Sequence, residues 1–463
     1  MNIIFHQAPH LGHLYTVVLA DAAHRWFKLR NPNSTHVFTT GTDEHGIKVC
    51  RHSLSELFRE FCDETSKSFC KLFEKFLISN TDFVRTTEKG HWKCVEYVWE
   101  QLYGKGLIYK DTYAGWYSIV DECFFPTSEV EDSDLGKVVK GTNTVVEWVE
   151  EQNYMFRLSS YRMAVREWLE HSDVVYPKCY LPSVMNSLEY EGDLSISRCR
   201  EKLSWGIPVP GDDSQIIYVW LDALVNYLSI VGYPDTLRVW PPTCQIFGKD
   251  ILKFHVFYWP ALLMAMGLSL PQRLFIHGHW LVDNTKMSKS LRNVIDPCEA
   301  LELYTTEGLR YFLLKQGVPS GDSNFSHEKA LSVINSDLVN NIGNLLSRAT
   351  VRKLNPLQMY PRFFENDAHP SIMKCCMPHL ELLREVGEEA LQLYDEMLFY
   401  KAIEKIMAAL KSGNGFFQMT EPWKLEESRK LDTVLYVTYE TLRILSILLQ
   451  PIVPSLADHS LTS

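Results

Sequence analysis

The 463-residue sequence predicts an α/β protein with an inserted β-rich module and a C-terminal helical bundle. Short apolar strands alternate with amphipathic helices in residues 1–108 and again after residue 206. Residues 109–148 are instead rich in β-branched and aromatic side chains, which is typical of paired strands. From Ser326 onward apolar residues recur at helical spacing. A chain of this length accommodates roughly three domains.

Composition restricts the class of protein. Hydrophobic residues make up 46% of the chain and charged residues 22%, which is ordinary for a globular enzyme. The net charge of -11 argues against non-specific coating of nucleic acid, although it permits a locally basic groove. The 11 cysteines include no C-x-x-C pair, which indicates a reducing compartment and no structural zinc. The most apolar run, residues 256–268, is too short to span a membrane and predicts a buried helix.

The first candidate site is His10-Leu11-Gly12-His13, at the junction between a predicted strand (residues 3–5) and a predicted helix (residues 14–29). Free N–H groups at a helix N-terminus favour phosphate, and two imidazoles can donate to phosphate oxygens. Gly12 allows close approach to the backbone. Capping or surface histidines explain the same residues equally well.

A second predicted strand, residues 36–40, leads into Gly41-Thr42-Asp43-Glu44-His45-Gly46. Acidic residues at the carboxyl end of such a strand lie where open α/β sheets bind ligands. Asp43 could hold an ammonium group or a ribose hydroxyl there. It could equally be an ordinary helix N-cap. Residues 54–108 are predicted to be helical.

A third informative block covers residues 206–233. It predicts a buried strand at 216–220, followed by a helix at 221–230. Trp220, Ala223, Leu224 and Tyr227 share one face and would form an aromatic-walled apolar cup. Such a stripe is more often core than ligand pocket. Asp250 and His255 follow another strand (residues 244–248), at a second strand-to-helix junction.

The loop Lys286-Met287-Ser288-Lys289-Ser290 follows a short apolar strand. Two lysines three residues apart suit a loop that neutralises polyphosphate charge during bond breaking. Taken alone, such a loop is usually a solvated surface turn.

In the helical region, residues 331–350 carry an apolar stripe on one face and a polar face opposite. The polar face holds Asn340, Asn344 and Arg348, four residues apart. It is solvated by default, but an asparagine and arginine stripe can also read bases. The predicted apolar stripe consists of Leu331, Ile334, Leu338, Ile342 and Leu345. Further helices are predicted at residues 380–394, 398–411 and 431–450.

The occurrence of His10-Leu11-Gly12-His13 before Lys286-Met287-Ser288-Lys289-Ser290 resembles the two signatures of class I aminoacyl-tRNA synthetases. More narrowly, the sequence resembles the methionyl-tRNA synthetase family, in its zinc-free mitochondrial type. The supporting runs are Thr40-Gly41-Thr42-Asp43-Glu44-His45-Gly46, Tyr218-Val219-Trp220-Leu221-Asp222-Ala223, Gly248-Lys249-Asp250-Ile251 with Phe254-His255, and Glu421-Pro422-Trp423. This likeness extends from residue 8 to the end.

The resemblance implies a Rossmann-type parallel-sheet catalytic domain. It also implies a role for each residue that matches a family motif. Catalytic roles fall on His10, His13, Lys286 and Lys289. ATP contacts fall on Gly12, Asp250, His277, Gly278, Met287, Ser288 and Ser290. Methionine contacts fall on Asp43, Trp220, Ala223, Leu224, Tyr227 and His255, and anticodon contacts on Asn344, Arg348 and Trp423. The implied segments are the first catalytic half (1–108), a connective module (109–185), the second catalytic half (186–270), a stem-contact segment (271–325) and the anticodon-binding helices (326–463).

The implied activity is ligation of methionine to a tRNA with a CAU anticodon, using ATP and Mg²⁺. We expect a monomer in the mitochondrial matrix that does not bind a membrane. Synthetases for other apolar amino acids are disfavoured, because they carry a larger editing insertion. The family has a tyrosine before the first motif, where this chain reads Met1-Asn2-Ile3-Ile4-Phe5-His6. Weak methionine binding is therefore expected, and a catalytically impaired tRNA-binding homologue is the alternative.

Overall fold

The structure is a computed structural model, and it describes residues 2–4, 9–46, 58–119, 123–125, 127–134, 136–140, 144–287, 293–361 and 369–462. Two compact units divide the chain. The first unit comprises Met1–Pro9, Val37–Lys71 and Asn80–His277, and the second comprises His10–His36, Leu72–Ser79 and Gly278–Ser463. The five-segment division made from sequence stays a prediction.

The strands are short, as the alternating pattern predicts. In chain order they are β1 (Asn2–Ile4), β2 (Thr39–Asp43), β3 (Asp82–Arg85), β4 (Ile108–Ser118), β5 (Cys123–Phe125), β6 (Val130–Ser133), β7 (Gly136–Val139), β8 (Glu147–Phe156), β9 (Val175–Tyr176), β10 (Leu194–Ser195), β11 (Ser197–Cys199), β12 (Pro208–Val209), β13 (Asp212–Ile217), β14 (Gln245–Gly248), β15 (Leu274–His277), β16 (Trp280–Val282), β17 (Thr285–Lys286) and β18 (Ser323–Phe325).

Helices dominate the remaining residues. In chain order they are α1 (Leu11–Arg30), α2 (Phe58–Lys75), α3 (Lys89–Gly104), α4 (Arg162–His171), α5 (Leu181–Ser187), α6 (Val219–Ser229), α7 (Trp259–Met266), α8 (Pro297–Tyr304), α9 (Thr306–Gln316), α10 (His327–Ile334), α11 (Asn344–Ala349), α12 (Pro370–Asp395), α13 (Phe399–Thr420), α14 (Ser428–Leu449) and α15 (Pro454–Thr462). Two π-helical stretches, Phe254–Tyr258 and Asn335–Gly343, directly precede α7 and α11.

The first unit contains the parallel sheets that the α/β pattern predicts. One sheet has the order β1-β2-β3 and another has the order β14-β15-β9, and every pairing in both is parallel. The inserted module is antiparallel, with β4 paired along most of its length with β8. Buried side chains of α3, α6 and α7 form one hydrophobic core with β15. Fold class and inserted module are therefore confirmed.

The second unit combines α1, a small sheet of β16, β17 and β18, and the C-terminal helices. Among its described residues, Arg310 has a fully buried guanidinium. Arg310 of α9 donates to Asp21 Oδ2 of α1 at 2.7 Å and to the carbonyl oxygens of Phe76, Pro451 and Ile452. These acceptors offset the cost of removing the charged guanidinium from water. Across the described residues, no helix has the length and apolarity that crossing a bilayer requires.

Two sequence predictions are wrong in detail. Residues 82–85 form a strand, β3, inside the region predicted to be helical. Leu331, placed in the apolar stripe, is 47% exposed. The stripe assumed a uniform α-helix, whereas residues 335–343 are π-helical, which changes the rotation per residue and shifts the apolar face.

Candidate functional site

The N-terminus of α1 in the second unit is closed by two histidines. His10 Nδ1 accepts from the Gly12 N–H at 3.1 Å, and His13 Nδ1 accepts from the His10 N–H at 3.3 Å. Their rings stack with centroids 3.8 Å apart. The histidines therefore do cap the helix. Because each Nδ1 serves as an acceptor, a neutral ring carries its proton on Nε2, which is then the N–H donor of each imidazole.

The two signature motifs approach each other inside the second unit. A Cβ added to Gly12 would lie 2.9 Å from His10 Cε1 and 3.9 Å from Met287 Cε, so no side chain larger than hydrogen fits there without a shift. The Leu11 N–H also donates to Ile295 O at 3.2 Å. The segment after the lysine loop is thus fastened to the first turn of α1.

A tight hairpin presents the start of the lysine loop. Strands β16 and β17 pair antiparallel, and the two residues between them, Asp283 and Asn284, have φ values of 50° and 59°. This is the left-handed pair that a two-residue hairpin turn needs, and asparagine and aspartate tolerate it well. Lys286 is exposed at the end of β17. Ser288, Lys289 and Ser290 lie outside the described residues.

In the first unit, β2 ends on the buried carboxylate of Asp43, which is 3% exposed. The His45 N–H donates to Asp43 Oδ1 at 3.4 Å. Asp43 is not the N-cap of a helix within the described residues. The adjacent Glu44 accepts from Arg85 Nε at 2.7 Å and from Arg85 Nη2 at 2.9 Å. Sequence reasoning missed this ion pair because it missed β3, which carries Arg85.

The four residues of the predicted apolar cup lie on α6. Trp220, Ala223, Leu224 and Tyr227 are all buried, as core residues of such a helix would also be. The Trp220 ring stacks on Phe254 with centroids 3.5 Å apart and an interplanar angle of 11°. Trp220 lies in the first turn of α6, whereas the sequence placed it at the end of the preceding strand.

His255 completes this group and is fully buried. Its Nδ1 lies 3.0 Å from Ile251 O and its Nε2 lies 2.9 Å from the Tyr227 hydroxyl, while its ring stacks on Phe247 at 4.3 Å. A carbonyl can only accept, so Nδ1 carries the proton and Nε2 accepts from Tyr227. Burial lowers the pKa of His255 to about 4, so the ring is neutral near pH 7.

The neutral His255 predicts an acid-sensitive fold. In the unfolded chain histidine titrates near 6.5, so between about pH 6.5 and pH 4 the unfolded state binds the extra proton. The free energy of unfolding should therefore fall across this window as the pH drops, by about 3 kcal/mol from this residue. Urea unfolding at a series of pH values measures the slope. His255→Gln should flatten it, and an unchanged slope contradicts the assignment.

A second junction places Asp250 close to His277. A Cβ added to Gly248 would lie 2.5 Å from Asp250 Oδ1 and 3.7 Å from His277 Cε1. The structure therefore groups two of the predicted nucleotide contacts at the carboxyl ends of β14 and β15. Gly278 belongs to the second unit, where its N–H donates to Pro319 O at 3.1 Å.

Arg198 of the first unit is a candidate that sequence reasoning missed. It is 6% exposed, and its guanidinium lies over the rings of Tyr218, Phe124 and Tyr117 at 4.2, 4.6 and 5.2 Å. Nη1 donates to Ser195 Oγ at 3.0 Å. Within the described part of the chain, Nε and Nη2 have no acceptor. A buried cation with unused donors suits an anionic ligand. No local motif distinguishes it in the sequence.

In the helical region of the second unit, the Arg348 guanidinium lies 5.1 Å from the ring centroid of Phe417 and 5.5 Å from that of Trp423. Arg348 Nη2 donates to Gln418 Oε1 at 2.8 Å. Trp423 is 38% exposed and Asn344 is exposed on the same short helix as Arg348. The structure thus brings Arg348 and Trp423 together, which their sequence separation does not reveal.

No group of three or more histidine, cysteine or acidic side chains suited to a metal ion occurs among the residues that the structure describes. The expectation that the protein holds no structural zinc stays a prediction.

Comparisons with known proteins agree on one family. The sequence profile of a family described as tRNA synthetases class I (M) matches residues 4–350. The mitochondrial methionine–tRNA ligase of Bos taurus is 44% identical over 98% of this chain and 81% of its own length. That of Homo sapiens is 43% identical with the same coverage. The crystal structure of Mycobacterium tuberculosis methionyl-tRNA synthetase bound by methionyl-adenylate superposes with a TM-score of 0.91 at 34% identity, covering 99% of this chain and 93% of that one.

The chain therefore belongs to the class I aminoacyl-tRNA synthetases that are methionine–tRNA ligases. The resemblance in the sequence is confirmed. These comparisons do not favour the impaired homologue, since the relatives are named methionine–tRNA ligases.

Proposed function

We propose that the buried group in the first unit binds methionine and that the signature motifs in the second unit bind the ATP phosphates. The observation that carries the methionine assignment is Asp43, a carboxylate that is 3% exposed and lies at the carboxyl end of the parallel strand β2. A buried carboxylate at this edge of an α/β sheet suits the α-ammonium group of an amino acid. Trp220, Tyr227 and His255 provide apolar and aromatic surface for the thioether.

The chemistry needs no nucleophile from the protein. A methionine carboxylate oxygen attacks the α-phosphorus of ATP in line, the new C–O–P link forms, and the bond to the bridging oxygen breaks to release pyrophosphate. A tRNA 3′-terminal hydroxyl then attacks the adenylate carbonyl and releases AMP. Catalysis rests on positioning and charge stabilisation. Mg²⁺ bound with ATP adds positive charge on the phosphates.

The N–H donors on Nε2 of His10 and His13 suit phosphate oxygens, and Gly12 leaves room beside them. We assign Lys286 and Lys289 to the leaving pyrophosphate, with Met287, Ser288 and Ser290 in the same loop. Asp250, His277 and Gly278 are assigned to the ribose and adenine. Arg198 is a further candidate for the methionine carboxylate or a phosphate.

For tRNA, we assign the CAU anticodon to Asn344, Arg348 and Trp423. The exposed indole and the guanidinium beside it offer stacking and planar donors to unstacked bases. The mitochondrial names of the relatives support the mitochondrial matrix as the location. We also propose that the protein is a monomer and that it binds no structural zinc.

Methionine-dependent ATP–pyrophosphate exchange tests the amino-acid site. Asp43→Asn removes the charge that pairs with the α-ammonium, so the KM for methionine should rise about 10²-fold while the KM for ATP changes little. Asp82→Asn, at the start of the neighbouring strand β3, is the matched control and should leave both constants unchanged. An unchanged methionine KM in Asp43→Asn would remove the ammonium assignment.

A further inference from the structure

A buried carboxylate joins three elements of the first unit. Asp222, in the first turn of α6, is 1% exposed. Its Oδ2 lies 2.6 Å from His45 Nδ1, and its Oδ1 lies 2.6 Å from His91 Nε2. His45 follows strand β2, and His91 lies in α3. The three side chains are all nearly inaccessible to solvent. None of them belongs to the roles assigned above.

The hydrogen bonds fix where the protons are. An ionised carboxylate only accepts, so His45 presents Nδ1–H and His91 presents Nε2–H. His91 Nδ1 lies 2.8 Å from Ser229 Oγ, at the last residue of α6. His91 therefore bonds to both ends of α6. Although burial alone would raise the pKa of Asp222, the two histidines hold it below its usual value. The carboxylate stays ionised, and both contacts are charge-assisted.

This arrangement connects the two parts of the methionine site. His45 is bonded to Asp222 through its ring, and its backbone N–H donates to Asp43 Oδ1 at 3.4 Å. Asp222 lies between Trp220 and Ala223 on α6. The end of strand β2, which carries the proposed ammonium ligand Asp43, is thus tied to the helix that carries the side-chain pocket.

We propose that Asp222 is a positioning residue for methionine, which acts through His45 to hold Asp43 at a fixed separation from the pocket wall of α6. The inference rests on the proposed function, because it takes Asp43 as the ammonium ligand. Small displacements of a binding group have large effects on occupancy and reactivity, so the loss of this connection should be visible in methionine binding.

The test compares Asp222→Ala with Asp222→Asn in pyrophosphate exchange. Alanine removes both contacts, and the KM for methionine should rise about 10-fold or more with the KM for ATP unchanged. Asparagine keeps an oxygen that accepts from His45, and its NH₂ can donate to His91 once that ring moves its proton to Nδ1. Asp222→Asn should therefore stay within about 3-fold of the parent. This rescue would not follow if the negative charge itself bound substrate.

His45→Ala breaks the same connection from the other side and keeps the test available if Asp222→Ala does not fold. It should raise the methionine KM to a similar extent. Combined with Asp222→Ala it should add little, because both changes remove one link. Asp212→Asn is the stability control. It alters a carboxylate of the same unit that accepts from Lys110 and Tyr154, and it should leave the methionine KM unchanged.

The outcomes distinguish a failure of the inference about Asp222 from a failure of the methionine assignment. If Asp43→Asn raises the methionine KM while His45→Ala and Asp222→Ala lower only kcat or the melting temperature, Asp222 is purely structural and the inference fails. If Asp43→Asn leaves the KM for methionine unchanged as well, the methionine assignment itself fails. A methionine-specific rise in KM in both His45→Ala and Asp222→Ala, with rescue by asparagine, supports the inference.

Discussion

Replacing Lys289 with alanine should lower the rate of methionyl-adenylate formation by about 10²–10³-fold while methionine affinity stays nearly unchanged. That range is the usual loss when one preorganised charge contact to a developing anion is removed. Although Lys289 lies outside the described residues, Met287 lies near Gly12 and Leu11 bonds to Ile295. Both flanks of the loop are therefore held at the first turn of α1, where the Nε2–H donors lie.

Pre-steady-state formation of the adenylate, together with methionine binding by calorimetry, measures the two quantities. Lys329→Ala, which alters a lysine in the first turn of α10 in the same unit, is the control and should leave both unchanged. If Lys289→Ala forms adenylate at the parental rate, the loop is only a surface turn and its assignment to pyrophosphate is wrong.

Arg348→Ala or Trp423→Ala should weaken aminoacylation of tRNA with a CAU anticodon by about 1–3 kcal/mol per lost base contact. The Arg348 guanidinium lies beside the Trp423 ring and donates to Gln418. The guanidinium and the indole are therefore already positioned to contact an unstacked base. Methionine-dependent pyrophosphate exchange should stay near normal, because neither side chain is assigned to ATP or methionine. kcat/KM for tRNA, measured beside the exchange rate, separates the two steps.

Arg352→Ala provides the matched control, since Arg352 is an exposed arginine four residues after Arg348 that has no ion pair in the described chain. It should change tRNA kcat/KM less than Arg348→Ala does. The alternative is that neither side chain contacts tRNA. If Arg348→Ala alters neither assay and Trp423→Ala lowers both together with stability, the first is a solvated charge and the second a packing residue.

The sequence predicted the architecture well because its main signals are local. The alternation of strands and helices, the β-rich insertion and the C-terminal helices all follow from periodicity within short windows. The same locality explains the errors. Strand β3 has only four residues between two helices, and Val84 is its single β-branched residue. Its pairing with β2 is a tertiary effect that a short window does not contain.

For the candidate site, too, local features could be predicted and long-range ones could not. Residues in recognisable runs, such as His10 and Asp43, could be selected from sequence. Arg198 and Asp222 could not, since their importance comes from burial and from partners far along the chain. His45 and Asp222 are 177 residues apart, and His91 and Asp222 are 131 apart. The sequence leaves open whether the histidines cap α1, because it does not show which ring nitrogen faces the backbone, and the structure shows that Nδ1 does.

The buried Arg310 has a consequence for how the protein is made. Its guanidinium donates to Asp21 of α1 and to the carbonyl oxygens of Pro451 and Ile452, which come after α14. During synthesis α1 leaves the ribosome hundreds of residues before its last partners exist. The second unit therefore cannot complete its interior until residues 451 and 452 have been synthesised, and the buried face of α1 stays exposed for that time. Such a nascent chain depends on chaperones more than one whose units are continuous in sequence.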